Sequence, residues 1–179
     1  MSGTLNARYD VPLMVELTRR IALHRPIELE VLCPDARRWD TPLGSGGARV
    51  ESVSPEEMPG RVVGAHIGLC ILNPSRTAAN RASMPTKIGE FLASGRPVVV
   101  NKDLGDMGHI VRQFDCGVVV ADNSDTELER TVVELDRLLD ETSLAERCRD
   151  AAVAHFNLEH AVDDLFEIYQ SMLRSHVDA

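Results

Sequence analysis

The chain has 179 residues, 44% of them hydrophobic and only 4% aromatic, and a formal net charge of −9. That length suits one domain, 1–179, around a mainly aliphatic core. The acidic balance excludes broad nucleic-acid binding, which needs clustered Lys and Arg, yet leaves room for one local anion site.

Residues 10–24 predict a helix, with Asp10 as its cap and Leu13, Met14, Leu17 and Ile21 on one face. A strand is expected over 27–33, a polar, Gly-rich loop over 35–47 and a second strand over 48–53. Ser54-Pro55-Glu56-Glu57 reads as a capping box with Pro at the first helical position, opening a short helix to about residue 65. An apolar strand over 67–72 leads into a loop over 73–83. Past residue 101 comes a Gly-containing loop to 108, then a short helix capped by Asp106 and carrying Ile110, Val111 and Phe114. Residues 117–121 form the last strand. Helices close the chain. Ser124 with Glu127 and Ser143 with Glu146 read as capping boxes, and Asn157 caps a final helix with Ala161, Leu165, Ile168 and Met172 on its apolar face.

Short apolar strands alternating with helices predict an α/β fold with a doubly wound, mostly parallel sheet. Such sheets bind ligands at the carboxyl ends of their strands. The 73–87 and 101–108 segments follow strands and should share that edge. The opening residues leave almost no room for a strand before the first helix. The chain therefore reads as a fragment, or as one part of a two-chain protein. Cys33, Cys70, Cys116 and Cys148 form no CxxC pair and read as buried thiols, and the His residues are scattered, so no metal site is expected. No apolar run approaches the roughly 18–20 residues of a membrane span. No signal-peptide pattern opens the sequence. The expected location is cytoplasmic, with any membrane association peripheral and made through a partner.

The most informative segment is Met84-Pro85-Thr86-Lys87-Ile88-Gly89-Glu90-Phe91-Leu92-Ala93-Ser94-Gly95-Arg96-Pro97-Val98-Val99-Val100-Asn101. Pro85 suits a first helical turn, Ser83 offers a cap, and Ile88, Phe91 and Leu92 share a face. Gly95 ends the helix, and the valines start a buried strand. Lys87 is a cation at the positive end of a helix dipole, a placement that an anion at that end would justify. Free N–H groups with a Lys make a diphosphate site.

These residues carry a resemblance. Ser2-Gly3-Thr4-Leu5, Tyr9-Asp10, the Pro85-x-Lys87-x-x-Glu90-x-x-Ala93-x-Gly95-x-Pro97 run and Gly117-Val118-Val119-Val120 look like the C-terminal domain of GT-B-fold glycosyltransferases of the retaining family-4 type. The resemblance implies a domain that binds a nucleotide-diphosphate sugar, without a metal or other cofactor. The acceptor would sit on a separate N-terminal domain or partner chain, against which the last helix packs. Glu90 matches the carboxylate that binds the ribose hydroxyls, and Thr86 and Lys87 match the helix start facing the donor phosphates. Gly3 matches a turn whose backbone approaches the diphosphate. Thr4 stands where members often have Arg, which leaves Arg8 as the nearest base, with Arg76 and Arg81 as further sources of charge. Residues 50–54 match the stretch that reads the nucleobase. Gly105-x-x-Gly108 reads as a turn or, less specifically, a phosphate loop.

One departure is plain. Many members carry a second Glu near the donor sugar, and here Ala82 stands in its place. No general base is assignable, so the catalytic residues stay unknown. Two main functions remain open, the donor half of a glycosyltransferase or a non-catalytic nucleotide-sugar-binding scaffold, with another GT-B-like enzyme such as a nucleotide-sugar epimerase as a weaker third.

Overall fold

Among the residues described by the computed structural model, 1–2, 6–44 and 47–177, the short strands are all parallel. Strand β1 (Leu29–Leu32) pairs with β2 (Ala48–Glu51), Leu29 opposite Ala48. A second sheet has the order β3 (Gly68–Cys70), β4 (Val98–Asn101), β5 (Gly117–Val120), with Gly68 opposite Val98 and Val98 opposite Gly117. Between the sheets, Ser2 bridges Leu32 in parallel, and the Leu32 N–H donates to the Met1 carbonyl at 2.9 Å. The fold is thus α/β and parallel as expected, with the sheet in two pieces.

Parallel strands need crossovers, and helices supply them. The helices are α1 (Val11–Ile21), α2 (Ala36–Gly44), α3 (Met58–Gly64), α4 (Thr77–Arg81), α5 (Thr86–Ala93), α6 (Met107–Phe114), α7 (Asp125–Leu139), α8 (Leu144–His155) and α9 (Leu158–Val177). Helix α1 packs on α7, and α8 packs on both α5 and α6. The core is aliphatic, and Val98, Val99 and Val100 have no exposed surface. Their side chains alternate in direction, so β4 is covered on both faces.

The predicted caps are met unevenly. Asp10 accepts from the Leu13 N–H at 3.1 Å, and Asn157 accepts from the Glu159 N–H at 2.9 Å. Ser54 and Glu57 form a reciprocal capping box, at 3.2 and 3.3 Å. The Ser124 box is half made, because Glu127 turns its carboxylate to the Ala121 N–H and to Arg130. Ser143 caps nothing and instead accepts from Arg147. Ser83 is not the cap of α5. Pro85 holds that position, and the Ser83 hydroxyl is bonded elsewhere.

Two expected loops contain helix. In 35–47, Ala36, Trp39 and Leu43 recur at helical spacing and pack into the core as α2, a pattern obscured by the flanking glycines. In 73–83, a 3-10 turn (Pro74–Arg76) runs into α4, where the Asn80 amide donates back to the Asn73 carbonyl at 2.9 Å. All four cysteines are free and buried. Burial pushes the Cys116 thiol up to about 12 and Cys148 to about 11, so both stay protonated and unreactive.

A Cβ at Gly117 would lie 2.0 Å from the Val98 carbonyl oxygen, whereas one at Gly60, within α3, meets nothing within 4 Å. Gly117→Ala should therefore destabilise the protein by about 2 kcal/mol or more. Gly60→Ala should leave stability unchanged or raise it by up to about 1 kcal/mol. Urea denaturation midpoints of the two variants check this contrast.

Candidate functional site

Helix α5 is seated by two close approaches. A Cβ at Gly68 would lie 2.5 Å from the Phe91 ring, and one at Gly89 would lie 2.4 Å from the Phe156 ring. The two glycines let one aromatic press onto β3 and the other onto the back of the helix. The helix ends in a Schellman motif. Gly95, at φ +72°, donates to the Leu92 carbonyl at 2.8 Å, and Arg96 donates to Phe91 at 2.9 Å.

Its other end carries the site. Pro85 caps in an extended conformation (φ −65°, ψ 121°) and offers no side-chain acceptor to the first-turn N–H groups. Lys87 does not reach back to Glu90. Its ammonium donates to the Tyr9 hydroxyl at 2.5 Å and lies 4.5 Å from the centre of that ring. Next to it, the Arg8 guanidinium donates to the Ser83 hydroxyl, which donates to the Ala79 carbonyl at 2.6 Å.

Arg8 and Tyr9 are fixed from behind by the end of β3. The Asn73 N–H donates to the Arg8 carbonyl at 2.8 Å, Asp10 N–H to Ile71 at 3.0 Å, and Tyr9 bridges Leu72. Both cations act on the same buried group. Burial pushes the Cys70 thiol up to about 11, against the opposing pull of Lys87 and Arg8. The result is an uncapped helix start with two cations held beside it, an arrangement that attracts an anion such as a diphosphate.

Glu90 is exposed, and among the described residues its carboxylate has no hydrogen-bond or ion-pair partner. It sits with Thr86 on the rim of a groove of about 520 Å³ between α5 and α8, lined below by Gly89, Ala93, Ala152 and Phe156. The structure therefore brings Arg8, Thr86 and Lys87 to the start of α5, with Glu90 about one turn further along the helix. It does not add Arg81, which faces Asp103 at 3.8 Å and is largely exposed. Gly3 and the Arg76 side chain lie outside the described residues. Residues 50–54 are at the carboxyl end of β2, where the Cys33 N–H donates to the Glu51 carbonyl. Gly105 forms a turn at φ +45°, its N–H bonded to the Asn80 carbonyl at 3.0 Å, so that amide is already engaged. Ala82 is exposed on the turn into α5. Sequence reading passed over Tyr9 as a contact. It lies 78 positions from Lys87, and only the pairing of residues 8–10 with 71–73 joins them.

Among the described residues no group of His, Cys, Asp and Glu converges as a metal site, and no helix is long and apolar enough to cross a membrane. A model of the family described as glycosyl transferase-like matches residues 13–168. No curated protein sequence matches. Several solved structures share the fold. The C-terminal domain of the group 1 glycosyl transferase LpcC from Francisella tularensis aligns at TM-score 0.60 and 14% identity, over 87% of this chain and 84% of that one. Anabaena HepE, solved in complex with UDP, aligns at TM-score 0.67 and 15% identity, over 95% of this chain and 48% of that one. WaaG, a glycosyltransferase involved in lipopolysaccharide biosynthesis, aligns at TM-score 0.60 and 17% identity, over 84% and 42%. The chain thus spans less than half the length of HepE or WaaG.

An anion at the start of α5 should stabilise the fold. Millimolar inorganic pyrophosphate is expected to raise the melting temperature, and Lys87→Ala to weaken that response about five- to tenfold in apparent affinity. Differential scanning fluorimetry across a pyrophosphate series measures both.

Proposed function

The chain belongs to the glycosyl transferase-like family, and we propose that within it the chain is the domain that binds a nucleotide-diphosphate sugar for transfer of the glycosyl group to an acceptor. The observation that carries this reading is the pairing of Lys87 and Arg8 at the uncapped start of α5. The UDP complex of HepE, a structure of the same fold, supports a nucleotide as the occupant. The acceptor comes from a further domain or a partner chain.

Each residue has a role set by its chemistry. The Thr86 and Lys87 N–H groups at the start of α5, with the Lys87 ammonium, take the diphosphate and offset the negative charge that grows on it as the glycosidic bond breaks. Thr86, on the same turn, adds a hydroxyl donor within that end. Arg8 supplies the second cation. Glu90, whose carboxylate has no partner among the described residues, accepts hydrogen bonds from the two ribose hydroxyls. Gly3 is assigned to backbone contact with the diphosphate. Catalysis in this scheme is positioning and charge stabilisation, with no step through a metal.

Ala82 favours a second reading. A carboxylate-free approach to the donor sugar suits a domain that binds the nucleotide sugar as a scaffold and transfers nothing.

Thermal titration with nucleoside diphosphates decides the binding claim. A shift is expected, and no shift with any of the common bases at millimolar levels would overturn it. Glu90→Ala should weaken nucleoside diphosphates about five- to tenfold while leaving pyrophosphate unaffected, because it removes only the ribose contacts. Equal losses for both probes would remove Glu90 from the ribose. Once a partner domain is restored, nucleotide binding without glycosyl transfer would select the scaffold reading.

A further inference from the structure

A lysine at the start of a helix is pushed away by the dipole and loses side-chain freedom when held there. Something must keep Lys87 in place while the site is empty. Among the described residues the side chain that touches its ammonium is Tyr9, whose hydroxyl accepts at 2.5 Å and whose ring centre lies 4.5 Å away. Tyr9 does not drift, because residues 8–10 are stitched to the end of β3 by the Asn73, Asp10 and Leu72 contacts. An ammonium has three donors, so the bond to Tyr9 leaves two free.

We propose that Tyr9 is a positioning residue for the donor diphosphate: it holds Lys87 at the start of α5, with two N–H bonds free for phosphate oxygens. The proposal rests on the donor-site reading and extends it to a residue outside the Pro85–Pro97 segment. The hydroxyl, which accepts from the ammonium, supplies most of the hold, and the ring adds bulk that limits where the ammonium can move. Affinity for the diphosphate then depends on the tyrosine at position 9 only while Lys87 is present.

The test is a double-mutant cycle read by titration with uridine diphosphate and guanosine diphosphate. Tyr9→Leu keeps the bulk and removes both the ring and the hydroxyl, and Tyr9→Phe keeps the ring. Tyr9→Leu should weaken diphosphate binding about fivefold, and Tyr9→Phe, which loses the hydroxyl acceptor, by nearly as much. In the Lys87→Ala background, Tyr9→Leu should cost nothing further, since the group it positions is gone. The proposal is overturned if Lys87→Ala weakens binding while Tyr9→Leu binds as wild type. It is overturned equally if the two losses multiply in the double variant, which would mean Tyr9 acts independently of Lys87. Absence of binding by the wild-type chain to either nucleotide is a different result. It removes the donor-site reading, and this proposal with it.

Discussion

Burial of β4 on both faces is the constraint from which the rest follows. Val98, Val99 and Val100 are closed to solvent, and burying each contributes about 1.5–3 kcal/mol. A strand covered on both sides and paired in parallel with β3 and β5 cannot be reached by a tight turn. The chain must leave the carboxyl end of β3, descend as α5 and enter β4 from below. The start of α5 is thereby delivered to the edge where the strands end. The site's location is a consequence of how the centre is covered.

What makes that edge chemically distinctive is a conflict between local and distant forces. Within the helix alone, Lys87 is misplaced and Pro85 leaves the first-turn N–H groups without a side-chain acceptor. Both features raise the positive potential at one point. The segment carrying Arg8 and Tyr9 does not relieve it; Arg8 adds a cation, and Tyr9 holds another with a neutral hydroxyl rather than a carboxylate. Several other cations are held between carboxylates. Arg61 lies between Glu30 and Glu51, Arg25 between Asp136 and Asp140, and Arg130 between Glu127 and Glu134. Under the proposed function, the charge at the start of α5 is left for the donor diphosphate.

The local grammar of α5 and β4 was legible in the sequence. Gly95 stops the helix in the left-handed conformation, and the valines read as a strand buried on both faces. These signals lie within a few residues of the structure they specify. The failures share a cause. Helix α2 was hidden because its apolar residues are few and sit beside glycines. Ser83 looked like a cap because its hydroxyl was judged against the neighbouring helix, while Arg8 and Ala79 compete for it. Glu127 followed the Ala121 amide in preference to the box its position implied. In each case a partner distant in sequence, or a packing surface, outbid the local pattern. The Tyr9–Lys87 contact is the extreme of this, since no spacing rule joins residues 78 positions apart.

Helix α9 has a bearing on how this protein melts. Its 20 residues carry Leu158, Val162, Leu165, Phe166, Ile168, Tyr169, Met172 and Leu173 in exposed positions. A helix of that length with no packed face is only marginally stable in water. It will fray over a wide temperature range while the core still holds. Ellipticity at 222 nm will then report a sloping loss of helix before the main transition, whereas the Trp39 environment follows the core. For this chain the two-state assumption fails at one end, and the choice of probe decides which part of the molecule is being weighed.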